Sequence, residues 1–220
     1  WVCVQGAFGA LTVTMKLFPA IVTLHLLGGM VLLVLLALQA ARMQKLQTPS
    51  LILAHAHRLQ PGLWIVGLLL LSQIALGAWV STNYAVLICD SFPQCQGSFW
   101  PAMDFAQGFE LWRELGRTAS GDLLSIPALT AIHYAHRLAA YGVLPALLWL
   151  AWHMARVGCI RPAKALFALV LLQFVTGLSN VVLDWPMVAA VMHTAGAAAI
   201  LVVLALTWPF AQRNHVARPA

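Results

Sequence analysis

Six stretches of this chain run for fifteen residues or more almost without charge, at about residues 1–15, 19–40, 63–81, 126–154, 163–183 and 187–208. Crossing the hydrocarbon core of a bilayer takes about 20 apolar residues, so five of the stretches are long enough to span and the first is short. Backbone facing lipid must satisfy its own hydrogen bonds, which makes each stretch an α-helix. Composition agrees, with 62% of residues hydrophobic and 8% charged, too little charge to coat a soluble domain of this size. The sequence therefore predicts an all-α, polytopic transmembrane helical bundle whose surroundings are a lipid bilayer.

The charges give an orientation. Arg42, Lys45 and Arg58 separate the second stretch from the third, Arg156, Arg161 and Lys164 mark the joint of the fourth and fifth, and Arg213 and Arg218 follow the sixth. Lys16, Arg113 and Arg117 fall at the other end, together with Asp90, Asp104, Glu110, Glu114, Asp122 and Asp184, while Arg137 lies inside the fourth stretch. Basic loops stay in the cytoplasm, so the loop over residues 82–125 is expected outside, on the periplasmic face of a bacterial inner membrane or its mitochondrial equivalent. The net charge of +6 thus marks topology and gives no sign of nucleic acid as a partner. His55, His57, His153 and His215 sit on the cytoplasmic side beside basic residues and read as solvated. The chain opens at Trp1 inside apolar sequence with no basic leader, which reads as a fragment lacking upstream residues.

In the external loop, Phe105, Phe109, Leu111, Trp112 and Leu115 recur at roughly helical intervals among Glu110, Arg113, Glu114 and Arg117. That pattern predicts an amphipathic helix over residues 104–117, lying on the outer surface. Cys89 and Cys95, with Pro93 between them, are expected to form a disulfide on the oxidising side. The bridge would stiffen the loop, the role we favour, or accept electrons from a thiol partner. Cys3 and Cys159 read as unpaired.

The pattern Gln5-x3-Gly9, Pro19, His25-x2-Gly28 recurs as Gln173-x3-Gly177, Pro186, His193-x2-Gly196; Gln, both Gly and His repeat at an offset of 168 residues, and Pro misses by one. The third stretch carries another copy, Gln73-x3-Gly77. The repeat predicts tandem four-helix units related by an axis along the membrane normal. Residues 1–45 would be the second half of one unit, 46–62 a cytoplasmic linker, 63–210 a complete second unit holding the 82–125 loop, and 211–220 a cytoplasmic tail. About six helices would be present here.

Ionisable residues within spans are costly and usually functional. His25, His136 and His193 fall at one level in the outer half of the bilayer. His136 and His193, on different helices of one unit, are a suitable axial pair for a haem iron, because neutral imidazole is a good iron ligand. Arg137 needs an anion, for which a haem propionate is a candidate. The plainer reading, histidines hydrogen-bonded to neighbouring helices, is outweighed by the repeat of the pair at matched depth. His133, one turn before His136, reads as packing or as a support for its neighbour.

The ordered set of motifs resembles the haem A synthase family. It comprises Leu76-Gly77-Ala78-Trp79-Val80-Ser81-Thr82, Cys89-Asp90-x2-Pro93-x-Cys95-x-Gly97, His133-x2-His136-Arg137 with Tyr141, and His193, with His25 after the Gln5-x3-Gly9 helix. The resemblance covers essentially the whole chain. It implies an oxidoreductase of eight transmembrane helices in two halves that oxidises a methyl group of haem O to the formyl group of haem A for cytochrome oxidase. It also implies that His136 and His193 are iron ligands of a haem b cofactor, with Arg137 beside it, and that His25 is a catalytic-side histidine facing the substrate haem O. The family's Glu-x2-His-Arg motif would then lie upstream, so this fragment is expected to be inactive by itself. Haem O synthase and an electron donor are the further partners implied. Two other readings compete: a bis-histidine di-haem cytochrome b serving quinone, and an assembly protein that delivers haem. The external cysteine pair and the tandem repeat count against the plain cytochrome.

Overall fold

A computed structural model describes residues 1–47 and 56–211. His55, Arg213, His215 and Arg218, with linker residues 48–55 and tail residues 212–220, lie outside the described residues. Among those described, seven α-helices follow one another: α1 (Val2–Thr14), α2 (Pro19–Gln47), α3 (Gln60–Thr82), α4 (Phe105–Gly108), α5 (Ile126–Arg156), α6 (Ile160–Val182) and α7 (Met187–Ala211). Short 3-10 turns occupy Ala56–Leu59 and Ala85–Ile88. Helices α2, α3, α5, α6 and α7 are long and apolar enough to cross a membrane, and α1 is a shorter apolar helix. The chain is an all-helical, multi-pass membrane protein, as its apolar stretches predict.

Prolines sit where a helix has no use for an N–H: Pro19 opens α2, and α3 and α5 carry Pro61 and Pro127 in their first turns. The Ser125 hydroxyl caps α5 by accepting from the Ala128 N–H at 3.3 Å. Helices α3, α5, α6 and α7 close into a ring, each packed on the next and α7 back on α3. Leu70, Leu147, Leu150, Met154, Leu166 and Ile200 fill its core. Helix α2 lies outside the ring against α7 and α3, and α1 packs on α2 without burying a residue of its own.

The internal repeat extends to the backbone of the two hairpins. The α1–α2 turn passes through two successive left-handed residues, Lys16 and Leu17 (φ 51° and 60°), and the α6–α7 turn through Asp184 and Trp185 (φ 54° and 59°). These are the same positions at the 168-residue offset. The Leu17 N–H donates to Thr12 O at 2.8 Å, as that of Trp185 does to Asn180 O at 3.2 Å. Side chains with a Cβ avoid this region, so its use twice over marks a shared turn design. The proline mismatch resolves here too. Helices α2 and α7 start at equivalent positions; Pro19 is the first residue of α2, and Pro186 directly precedes α7.

One expectation is corrected. Residues 104–117 do not form an amphipathic helix; only Phe105–Gly108 is helical. Asp104 starts it properly, its Oδ1 accepting from the Gln107 N–H at 2.9 Å. The helix stops because the Gly108 carbonyl accepts instead from the Trp79 indole Nε1 of α3 at 2.9 Å. Beyond it Arg113 turns inward, 2% exposed. Its Nη2 donates to Asn83 Oδ1 at 2.6 Å, and its guanidinium lies 5.5 Å from the Trp79 ring. Burial holds this guanidinium below its ordinary pKa, with Glu110 partly offsetting the effect. Gly116 and Gly121, both left-handed (φ 74° and 93°), then fold residues 114–124 into a tight loop.

Asn83→Ala removes the acceptor from a buried charged donor, at a cost of about 2 kcal/mol. Detergent-solubilised Asn83→Ala protein should melt earlier and be cut faster by protease between residues 104 and 124, whereas Asn83→Asp, which keeps the acceptor, should stay protected.

Candidate functional site

The three Gln-x3-Gly copies each face a histidine on the next membrane helix. Gly9 of α1 lies against the His25 ring of α2, Gly77 of α3 against His136 of α5, and Gly177 of α6 against His193 of α7. A Cβ built on these glycines would stand 3.3, 2.8 and 3.1 Å from the respective imidazole Cε1. Glycine is thus what lets the Cε1 edge of each ring come this close to its neighbour's backbone. In the α3–α5 and α6–α7 copies the glutamine one turn earlier fixes the same histidine by its main chain. Gln73 Nε2 donates to His136 O at 3.0 Å and Gln173 Nε2 to His193 O at 2.8 Å. Gln5 and Gln173 also fill the notches at Gly28 and Gly196, where a Cβ would come within 1.8 and 2.2 Å of the amide nitrogen.

The ring nitrogens are treated differently in the three copies. His193 Nδ1 is 3.0 Å from Thr176 Oγ1, and that hydroxyl donates to Leu172 O at 2.7 Å. His136 Nδ1 is 3.1 Å from Gln73 Nε2, while Gln73 Oε1 is buried without a partner. His25 Nδ1 is buried without a partner, as is Gln5 Oε1.

His133 and Arg137 serve the loop. The Arg137 Nη1 donates to the carbonyls of Ser91, Pro93 and Gln94 at 3.1, 3.3 and 2.9 Å. Those residues belong to the loop closed by the Cys89–Cys95 disulfide. His133 Nδ1 meets Ala85 O at 3.0 Å and its Nε2 meets Arg137 Nη2 at 3.4 Å, so both its nitrogens are used. Tyr134 bonds to Phe99 O, and Thr130 accepts from Gln96 Nε2 at 3.0 Å. One stripe of α5 (Thr130, His133, Tyr134, Arg137) thus pins the disulfide loop, while His136 faces α3. The anion expected beside Arg137 has a counterpart in three inward-turned carbonyls, which sequence reasoning missed.

Among the described residues no three His, Cys, Asp or Glu side chains gather to hold a bare metal ion. Cys3 and Cys159 are free. His153 stacks on Trp149 with ring centroids 5.6 Å apart, far along α5 from His136. An open pocket of about 280 Å³, lined by Leu17, Val22, Ser81, Thr82, Tyr84 and Trp185, lies between the hairpin turns and includes none of the histidines.

Comparison with known proteins agrees with these features. Residues 1–205 match the family model COX15-CtaA, described as cytochrome oxidase assembly protein. A protein named "Heme A synthase" from Shewanella oneidensis is 36% identical over 204 residues, covering 91% of this chain and 61% of that protein. The chain belongs to the haem A synthase family. Members with the same name from Beijerinckia indica and Methylobacterium nodulans are 32% and 33% identical over 146 and 138 residues. These cover 63% and 61% of this chain, and 38% and 36% of those proteins. The chain spans about three fifths of the Shewanella protein's length. No solved structure matches it.

A haem, the group this family's name implies, fits the donor set. His136 and His193, imidazoles from separate helices, would hold its iron, and each has its Cε1 edge packed against a glycine of the adjoining helix. His193 fits best, because its Nδ1 is already bonded and Nε2 is left for the metal. Crowding ranks the three seats. Alanine at Gly77 should destabilise by about 1–3 kcal/mol, with less at Gly177 and least at Gly9, in the order of the Cβ-to-ring distances. Thermal unfolding of the three variants in detergent checks that order.

Proposed function

We propose that this chain works in haem A biosynthesis, as part of an enzyme that oxidises a methyl group of haem O to the formyl group of haem A. His136 and His193 would bind a b-type haem within the α3–α5–α6–α7 ring, and His25 would face the substrate haem. The observation that carries this reading is the seating of His136 and His193, each with its Cε1 edge against a glycine of the adjoining helix of the four-helix ring. The names of the relatives supply the product, haem A, and the family resemblance supplies haem O as the substrate.

Bound there, the haem would supply one-electron transfer. The chain's own residues orient and insulate. Gln73 and Gln173 anchor the main chain at the two histidines. The apolar core of Leu70, Leu147, Leu166 and Ile200 keeps water out of the ring. Helices α1 and α2, which repeat α6 and α7, belong on this reading to a second unit of the same design, with His25 as its iron-facing side chain.

Orientation is part of the proposal. Arg42, Arg58, Arg156, Arg161 and Lys164 gather at one end of the helices, and the acidic residues at the other. The positive-inside rule then puts the disulfide loop on the outer face of a bacterial inner membrane.

The full-length protein, co-expressed with a source of haem O, should yield haem A in solvent extracts. Finding haem B alone would favour a plain cytochrome. His136→Ala and His193→Ala should each lose the low-spin b-type band in reduced-minus-oxidised spectra. His25→Ala should keep that band and lose conversion, and a retained band in both of the first two variants would remove the ligand assignment.

A further inference from the structure

The two hairpins related by the 168-residue repeat share their turn geometry, their glutamine, their glycines and their histidine. They differ at the position that meets the histidine's Nδ1. Thr176 of α6 stands there against His193, and its repeat counterpart in α1 is Phe8.

The hydroxyl of Thr176 has one proton and gives it to Leu172 O at 2.7 Å. Toward His193 it therefore presents a lone pair, and the 3.0 Å contact requires that His193 Nδ1 carry the hydrogen. A neutral imidazole protonated at Nδ1 keeps its lone pair on Nε2, the nitrogen available to a metal. The bond also stops the ring from turning about Cβ–Cγ, with Gly177 packed against its Cε1 edge. Partners of this kind orient a ligating histidine and raise its basicity. Threonine suits the task because its branched side chain is stiff at χ1.

Phe8 has no acceptor to offer, and His25 Nδ1 is buried with no partner. The Cε1 edge of the His25 ring is seated by Gly9 like its counterpart, yet no bond at Nδ1 sets its tautomer or its rotation. The α3–α5 copy has Leu76 at this position, and Gln73 Nε2 approaches His136 Nδ1 instead.

We propose that Thr176 is a positioning residue that locks His193 as a strong, permanent iron ligand, and that Phe8 at the repeat position leaves His25 a loosely held one, suited to a haem that enters and leaves. The inference rests on the reading of these histidines as haem ligands. It adds the pair of residues, Thr176 and Phe8, that would set the two hairpins apart.

The test uses the full-length, haem-loaded protein and two readouts other than turnover. The first is the reduction potential of the low-spin haem. Thr176→Val removes the acceptor at nearly constant volume, makes the ligand less electron-rich and favours the ferrous form. The equilibrium between ferrous and ferric haem should shift about tenfold, an upward move of about 59 mV for one electron. Thr176→Ser should restore the original value. The second is the rate at which haem passes from the α1–α2 hairpin to apomyoglobin, which Phe8→Thr should slow about tenfold.

His193→Ala separates the two ideas. If it keeps the low-spin haem, the underlying ligand reading fails. If it loses that haem while Thr176→Val keeps the original potential, the positioning role is overturned. Loss of haem in Thr176→Val but not in Thr176→Ser supports the proposal, and loss in both overturns it, since serine retains the hydroxyl. An unchanged transfer rate in Phe8→Thr refutes the exchange half.

Discussion

A neutral imidazole buried among membrane helices has one nitrogen that donates and one that accepts, and in lipid neither can turn to water. Much of this structure is an answer to where those nitrogens go. At His133 both are consumed, by Ala85 O and by Arg137, so the residue is a brace between α5 and the loop. At His193 one is taken by Thr176 and the other is left over. At His25 even the first is unclaimed. The same side chain on the same kind of helix becomes a strut, a fixed donor or a free one, according to a single neighbour.

Helix α5 shows how one element serves two ends. Thr130, His133, Tyr134 and Arg137 recur at helical spacing and hold the Cys89–Cys95 loop and the residues that flank it. His136, between them in sequence, points to a different helix because adjacent residues are turned by about 100° on an α-helix. Loop anchoring and ring seating are thus separate faces of one rigid rod.

Much of this was legible beforehand. The uncharged stretches marked six helices to within a few residues, because hydropathy in lipid is a direct demand on each segment. The repeat located the glycines and the histidines they seat. What sequence could not show were interactions whose partner is backbone. Three carbonyls meet Arg137, and carbonyls occur at every residue and leave no signature. The segment around Arg113 failed for a related reason. Apolar spacing over residues 105–115 suits a surface helix, but Trp79 takes the Gly108 carbonyl and Asn83 draws Arg113 inside, and neither contact is local in sequence. Thr176 carried a usable signal, a polar residue where the repeat has phenylalanine, whose meaning needed the hydroxyl's geometry.

The paired left-handed turns act as a ruler. His25 follows Leu17, and His193 follows Trp185, by the same eight residues, so each imidazole sits about 12 Å along its helix from the turn. A residue inserted in that interval would swing the ring by about 100° toward a neighbouring face. The level of both rings is therefore set by chain counting from a rigid corner, independently of how thick the surrounding bilayer happens to be.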